Sequence, residues 1–135
     1  MASDDDAAKM IVEQAENKLR AYDASGAFTL YDSVLRKPDV SMEVKFAAML
    51  GVMAIKTIQG EGTIEVPGVR FEYYIMDKVF CENCKEKTEN TRRSGSTQYL
   101  ATTIIDHWFA ECKKCGKLKN IAFEVPKDSP FDKIG

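Results

Sequence analysis

A single histidine among 135 residues leaves this chain poorly supplied for acid–base chemistry. No nucleophile–base constellation can be placed around it, and no glycine-rich phosphate loop is present. Asp106 and His107 are neighbours in a strand-like run, so their side chains point to opposite faces and form no dyad. An enzyme is therefore not expected. Long apolar runs are missing too: none approaches the ~20 residues that cross a bilayer, and no membrane partner is expected. The start, Met1 to Asp6, is acidic and without an apolar core, unlike a secretory signal. The expected compartment is the cytoplasm, or the nucleus in a eukaryote. Nor is there an excess of either charge. Lysine and arginine number 19 against 21 acidic residues, a net of −2, which argues against a strongly electrostatic nucleic-acid binder.

What is present stands out against that background. The four cysteines form two pairs, Cys81-Glu82-Asn83-Cys84 and Cys112-Lys113-Lys114-Cys115, with 27 residues between the pairs. Two residues between cysteines let one tight turn aim both sulfurs at a single point, and two such turns supply four thiolates. Gly116 suits the turn after the second pair, where a left-handed backbone is needed. Disulfides would suit an exported chain, which the N-terminus does not suggest. A thioredoxin-like redox pair opens a helix, whereas both pairs here lie between strand-like runs. Catalytic zinc keeps an open position that four cysteines would close. One structural Zn²⁺ held by Cys81, Cys84, Cys112 and Cys115 is the reading these residues favour.

The sequence around the pairs, about residues 69–126, resembles a zinc ribbon. Tyr73 to Phe80 reads as an extended run entering the first pair, after strands at Thr63–Val66 and Val69–Tyr73 around a Pro67-Gly68 turn. Tyr99 to Ala110 leads into the second pair, and Leu118 to Val125 leaves it. The resemblance implies three antiparallel strands pinned at one end by metal, and a module rather than a particular activity. Some transcription-factor ribbons carry an acidic pair at the hairpin tip. Here the tip, Asn90 to Thr97, has Arg92 and Arg93 instead, so that activity is not carried over.

Residues 1–60 have helical texture. Ala7, Ile11, Ala15, Leu19 and Tyr22 recur at near-helical spacing, and Ser25-Gly26 reads as a break. A second helix is expected from Ala27 to Arg36, ended by Pro38. Its segment Ala27 to Leu35 resembles part of a tetratricopeptide-type hairpin, although barely one repeat is covered and one repeat has no copy to stack on. Ser41 reads as the cap of a third helix, Met42 to Ile58, apolar on every side from Phe46 to Ile55 and so expected to be buried. The expected fold is α+β: an N-terminal bundle of about three helices (1–60), an antiparallel zinc-ribbon-like sheet (61–126) and a loose tail (127–135).

Charge is unevenly shared. Residues 1–66 hold 7 basic and 11 acidic side chains, while 77–120 hold 9 and 6. The leading expectation is a zinc-binding adaptor that contacts a protein partner in a larger assembly, transcriptional or ribosomal. The alternative is nucleic-acid binding through the basic tip and second pair, by Arg92, Arg93, Lys113 and Lys114. Against this, four thiolates and one Zn²⁺ together carry −2, which balances much of the local positive charge. Thiol redox chemistry is a distant third. The apolar third helix leaves a homodimer open as well.

Overall fold

The computed structural model describes residues 2–60, 62–93, 95 and 97–130. The chain divides into two compact units, Met1–Ile55 and Lys56–Gly135. Helices come first and a mainly antiparallel sheet follows, the expected α+β arrangement.

The first unit is built from α1 (Ala2–Arg20), α2 (Ala24–Leu35) and most of α3 (Met42–Gln59). The buried stripe of α1 is Ala8, Val12, Ala15 and Leu19: Ala15 and Leu19 are buried as expected, while Ala8 and Val12 lie one residue on from the expected Ala7 and Ile11. Both stripes have helical spacing, and packing against α2 selects between them. The break after α1 falls earlier than Ser25-Gly26. Tyr22 takes a left-handed conformation at φ +61°, and the Asp23 amide reaches back 2.9 Å to the Lys18 carbonyl. Asp23 then starts α2, its carboxylate accepting from the Gly26 amide at 2.9 Å. Gly26 thus lies inside the first turn.

Ser41 caps α3 as expected, its hydroxyl accepting from the Val44 amide at 3.4 Å. The Asp5 carboxylate accepts from the Ser41 amide in turn, and that bond holds its pKa below the usual range. The expected all-round burial of α3 is only half realised. Val44, Ala48, Leu50, Ala54 and Ile55 are buried, whereas Met42 and Met49 are 79% and 43% exposed.

A close approach of α2 to α3 fixes Gly51. A β-carbon there would lie 2.2 Å from the ring of Tyr31, itself 1% exposed. Alanine is better in a helix by about 1 kcal/mol, but overpacking a core commonly costs about 1–3 kcal/mol. Gly51→Ala should therefore lower stability by about 1 kcal/mol or more, read as an earlier urea midpoint. A later midpoint would mean that the ring has room to move.

The second unit carries β1 (Thr63–Glu65), α4 (Val69–Met76), β2 (Phe80–Cys81), β3 (Glu86–Lys87), β4 (Glu89–Arg92), β5 (Gln98–Tyr99), β6 (Thr103–Glu111) and β7 (Leu118–Pro126). The main sheet runs β1-β7-β6-β4, with β5 also paired to β6. All its pairings are antiparallel except β1 with β7, which is parallel. Period-two alternation buries Asp106, Trp108 and Ala110 on β6 beside Ile121, Phe123 and Val125 on β7. Ser129, in the stretch expected to be loose, is buried and donates to the Pro67 carbonyl. Residues 131–135 lie outside the described residues, as do Glu61, Ser94 and Ser96.

One expectation is overturned here. Residues Val69–Met76, read as extended, form the helix α4. Phe71, Glu72, Ile75 and Met76 are buried, a helical spacing that an alternating strand could not put on one face. Glu72 is fully buried and accepts from the Trp108 indole nitrogen at 2.8 Å. The ring of Tyr73 meets Trp108 edge-on at 5.0 Å. Only Phe80–Cys81 remains as strand before the first cysteine pair.

Candidate metal centre

Each cysteine pair sits on a knuckle of similar construction. In the first, β2 ends at Cys81, the chain turns through Cys84, and the Lys85 amide bonds back to the Cys81 carbonyl at 2.8 Å. Lys85 is left-handed at φ +53°. In the second, β6 and β7 flank the turn, and the Gly116 amide bonds back to the Cys112 carbonyl at 2.8 Å. Gly116 is left-handed at φ +77°. The residue after each pair therefore makes the same reversal, with glycine in one knuckle and lysine in the other.

The two knuckles bring four thiol sulfurs to within 4.8 Å of one another. Cys81 and Cys115 are 3.9 Å apart. With metal–sulfur bonds of about 2.3 Å, a tetrahedral site places its sulfurs roughly 3.8 Å apart, so the four thiols are arranged to hold one ion. Cys81 and Cys112 are buried, Cys84 is half-buried, and Cys115 is exposed.

The local electrostatics favour a cation at the centre. The Cys115 amide, bonding to Cys112, pulls that thiol down to about 7 against its desolvation. The Cys115 thiol, followed by desolvation, pushes Cys84 up to about 12. Four negative sulfurs at this spacing repel one another, so one ionises readily while another keeps its proton. A divalent cation removes that conflict for all four at once.

Beside Cys81 and Cys112 opens a cavity of about 80 Å³, with Lys117 and Lys119 among its lining. Lys119 donates to the Ile58 carbonyl and so closes the end of α3. Burial, followed by the charge of Lys117, lowers its pKa.

The other predicted site residues are largely committed elsewhere. The guanidinium of Arg92 donates to Asp106 at 2.7 Å. That of Arg93 lies 4.4 Å over the ring of Phe109. Lys113 pairs with Glu111 at 2.9 Å and Glu89 at 3.4 Å, two acids that face each other across β4 and β6. Lys114 is exposed and forms no ion pair among the described residues. Sequence reading missed the Glu72–Asp106 pairing. The only local signal for it was a glutamate between the apolar residues Phe71 and Ile75. Comparison of the chain with family models, with characterised proteins and with solved structures yields no match.

The purified protein should carry about one metal ion per chain, measured by elemental analysis. Cys112→Ser should lose it and unfold the sheet unit, because metal affinity and folding are linked in such sites. Helical circular dichroism from the first unit should persist. Thiols must shed protons to bind metal, so the ion should leave as pH falls. Metal-free protein with a native melting curve would exclude a structural ion.

Proposed function

We propose that the protein is a zinc-stapled adaptor: the sheet unit is fixed by one Zn²⁺, and the helical unit docks a partner protein. Zinc is the ion that four thiolates in a closed tetrahedral shell suit best. Its role is structural, since a filled shell leaves no position for substrate.

The observation that carries the binding role is the outer stripe of α3. Met42, Phe46, Met49 and Met53 recur at helical spacing, with the first and third exposed and the other two partly so. Unbranched methionines adapt to a partner's shape and are favoured where one helix docks on another. Isolated exposed apolar residues are ordinary, but an aligned row on one helix is the pattern of a docking face.

Among the basic residues expected to reach nucleic acid, Arg92 and Lys113 answer internal carboxylates and Arg93 rests on an aromatic ring. Each would have to leave an existing contact to bind phosphate. The protein-binding reading needs no such exchange. The setting is cytoplasmic, or nuclear in a eukaryotic cell.

Met42→Glu combined with Met49→Glu should abolish co-purification of the partner while leaving zinc content and helicity unchanged. Side-chain footprinting supplies the counter-test. A monomer in which Phe46, Met49 and Met53 are all protected without a partner would remove the docking face. Steeply salt-dependent retention of single-stranded RNA, lost in an Arg92→Glu, Arg93→Glu variant, would favour nucleic acid instead.

A further inference from the structure

The sheet unit contains a second group of ionisable side chains, unrelated to the cysteines. Glu72 on α4 is fully buried, and Asp106 on β6 is 1% exposed. The Glu72 Oε1 accepts from Trp108, while Oε2 is buried without a hydrogen-bond donor. Asp106 lies two residues from Trp108 on the same buried face of β6, and its carboxylate is a hydrogen-bonding neighbour of the Glu72 carboxyl. Asp106 is itself well supplied, with Arg92 donating to Oδ2 at 2.7 Å and Thr97 donating to Oδ1 at 2.9 Å.

Two ionised carboxylates side by side, out of water, with one guanidinium bonded to Asp106 alone of the two, would repel. A proton on Oε2 resolves the conflict. The orphaned oxygen becomes a hydroxyl donor, and Asp106 accepts a third bond. We propose that Glu72 and Asp106 hold one proton between them at neutral pH, forming an alkali-sensitive latch that fastens α4 to the sheet.

The charged and hydrogen-bonding groups around the pair support this assignment. From β4, Arg92 faces Asp106, and its other nitrogen reaches the Tyr73 hydroxyl at 3.4 Å. From β6, Trp108 faces Glu72, while His107 points to the other side of the sheet. From the tip loop comes Thr97. Desolvation, followed by the hydrogen bond with Asp106, pushes the Glu72 carboxyl up to about 8. For Asp106, desolvation acts upward, but bonds from Glu72, Thr97 and Arg92 outweigh it and hold the carboxyl below its usual range.

The sign of the effect follows. A carboxyl whose folded pKa is raised contributes stability in full below its unfolded value of 4.5. That contribution drains away as pH rises from there through about 8. Above that point Glu72 gives its proton to hydroxide, forming water. Two anions then compete for Arg92, and the bond to Trp108 is no longer enough to hold α4 in place. The latch shares no residue with the partner-docking face or with the four cysteines.

Trp108 is the only tryptophan, so its fluorescence reports on the latch directly. In zinc-loaded full-length protein, titration from about pH 6 to about pH 10 should show one transition centred near 8. Glu72→Gln keeps the shape, an acceptor for Trp108 and a donor for Asp106, and should abolish the transition. Asp106→Asn removes the neighbour that raises the pKa and should shift the midpoint to lower pH. Equal zinc content and circular dichroism verify that the variants are folded. The carboxyl carbon resonance of Glu72 in the unaltered protein reads its protonation without any substitution. A flat fluorescence profile, a transition that survives in Glu72→Gln, or an ionised Glu72 resonance at neutral pH would each overturn the latch.

Discussion

Mutual repulsion among four sulfurs is the constraint on which the second half of this protein depends. Thiolates held within 4.8 Å stay together only if a cation stands among them. The two knuckles come from different places in the chain, one between β2 and β3 and the other between β6 and β7. An ion that satisfies both ties the small hairpin to the large sheet. The two-stranded β2–β3 hairpin has too few strands for stability on its own.

Where the four-cysteine site gathers one end of this unit, a buried polar cluster fixes its middle. Trp108 faces the helix side of β6, and its indole nitrogen needs an acceptor that no apolar core supplies. Glu72 provides one, and α4 is brought down on the sheet to deliver it. The same helix places Phe71, Ile75 and Met76 in the core. The aromatic and cationic side chains near the tip thus serve internal contacts: Arg92 meets Asp106 and Tyr73, and Arg93 covers Phe109.

Features that are local in the chain were legible in the sequence. A cysteine knuckle is settled by four or five consecutive residues, and the start of α3 follows from a serine cap. The strands β6 and β7 announce themselves through branched and aromatic letters. Features decided at a distance were not legible. Val69 to Tyr73 has the composition and alternation of a strand, and it is helical because a tryptophan more than thirty residues later rewards that face. In α1, two apolar stripes compete one residue apart, and only the neighbouring helix distinguishes them. The left-handed lysine at position 85 gave no sign, because lysine rarely adopts that conformation. Nothing local in the sequence names Tyr31 as the ring that Gly51 must clear.

The parallel pairing of β1 with β7 has a consequence for the order in which the molecule assembles. Thr63 lies opposite Ala122, so the first strand of the sheet unit has no partner until synthesis has reached β7. The first helical unit, which lies wholly upstream of β1, can form while the rest is still emerging. During that interval β1 is an open edge joined to a helix that is already folded. The two acceptor cysteines of the second knuckle also arrive late, shortly before β7. Closure of the sheet edge and completion of the four-cysteine site therefore both wait for the second knuckle and β7, and a chain stalled before Cys112 would present a folded helical unit followed by an unpaired strand.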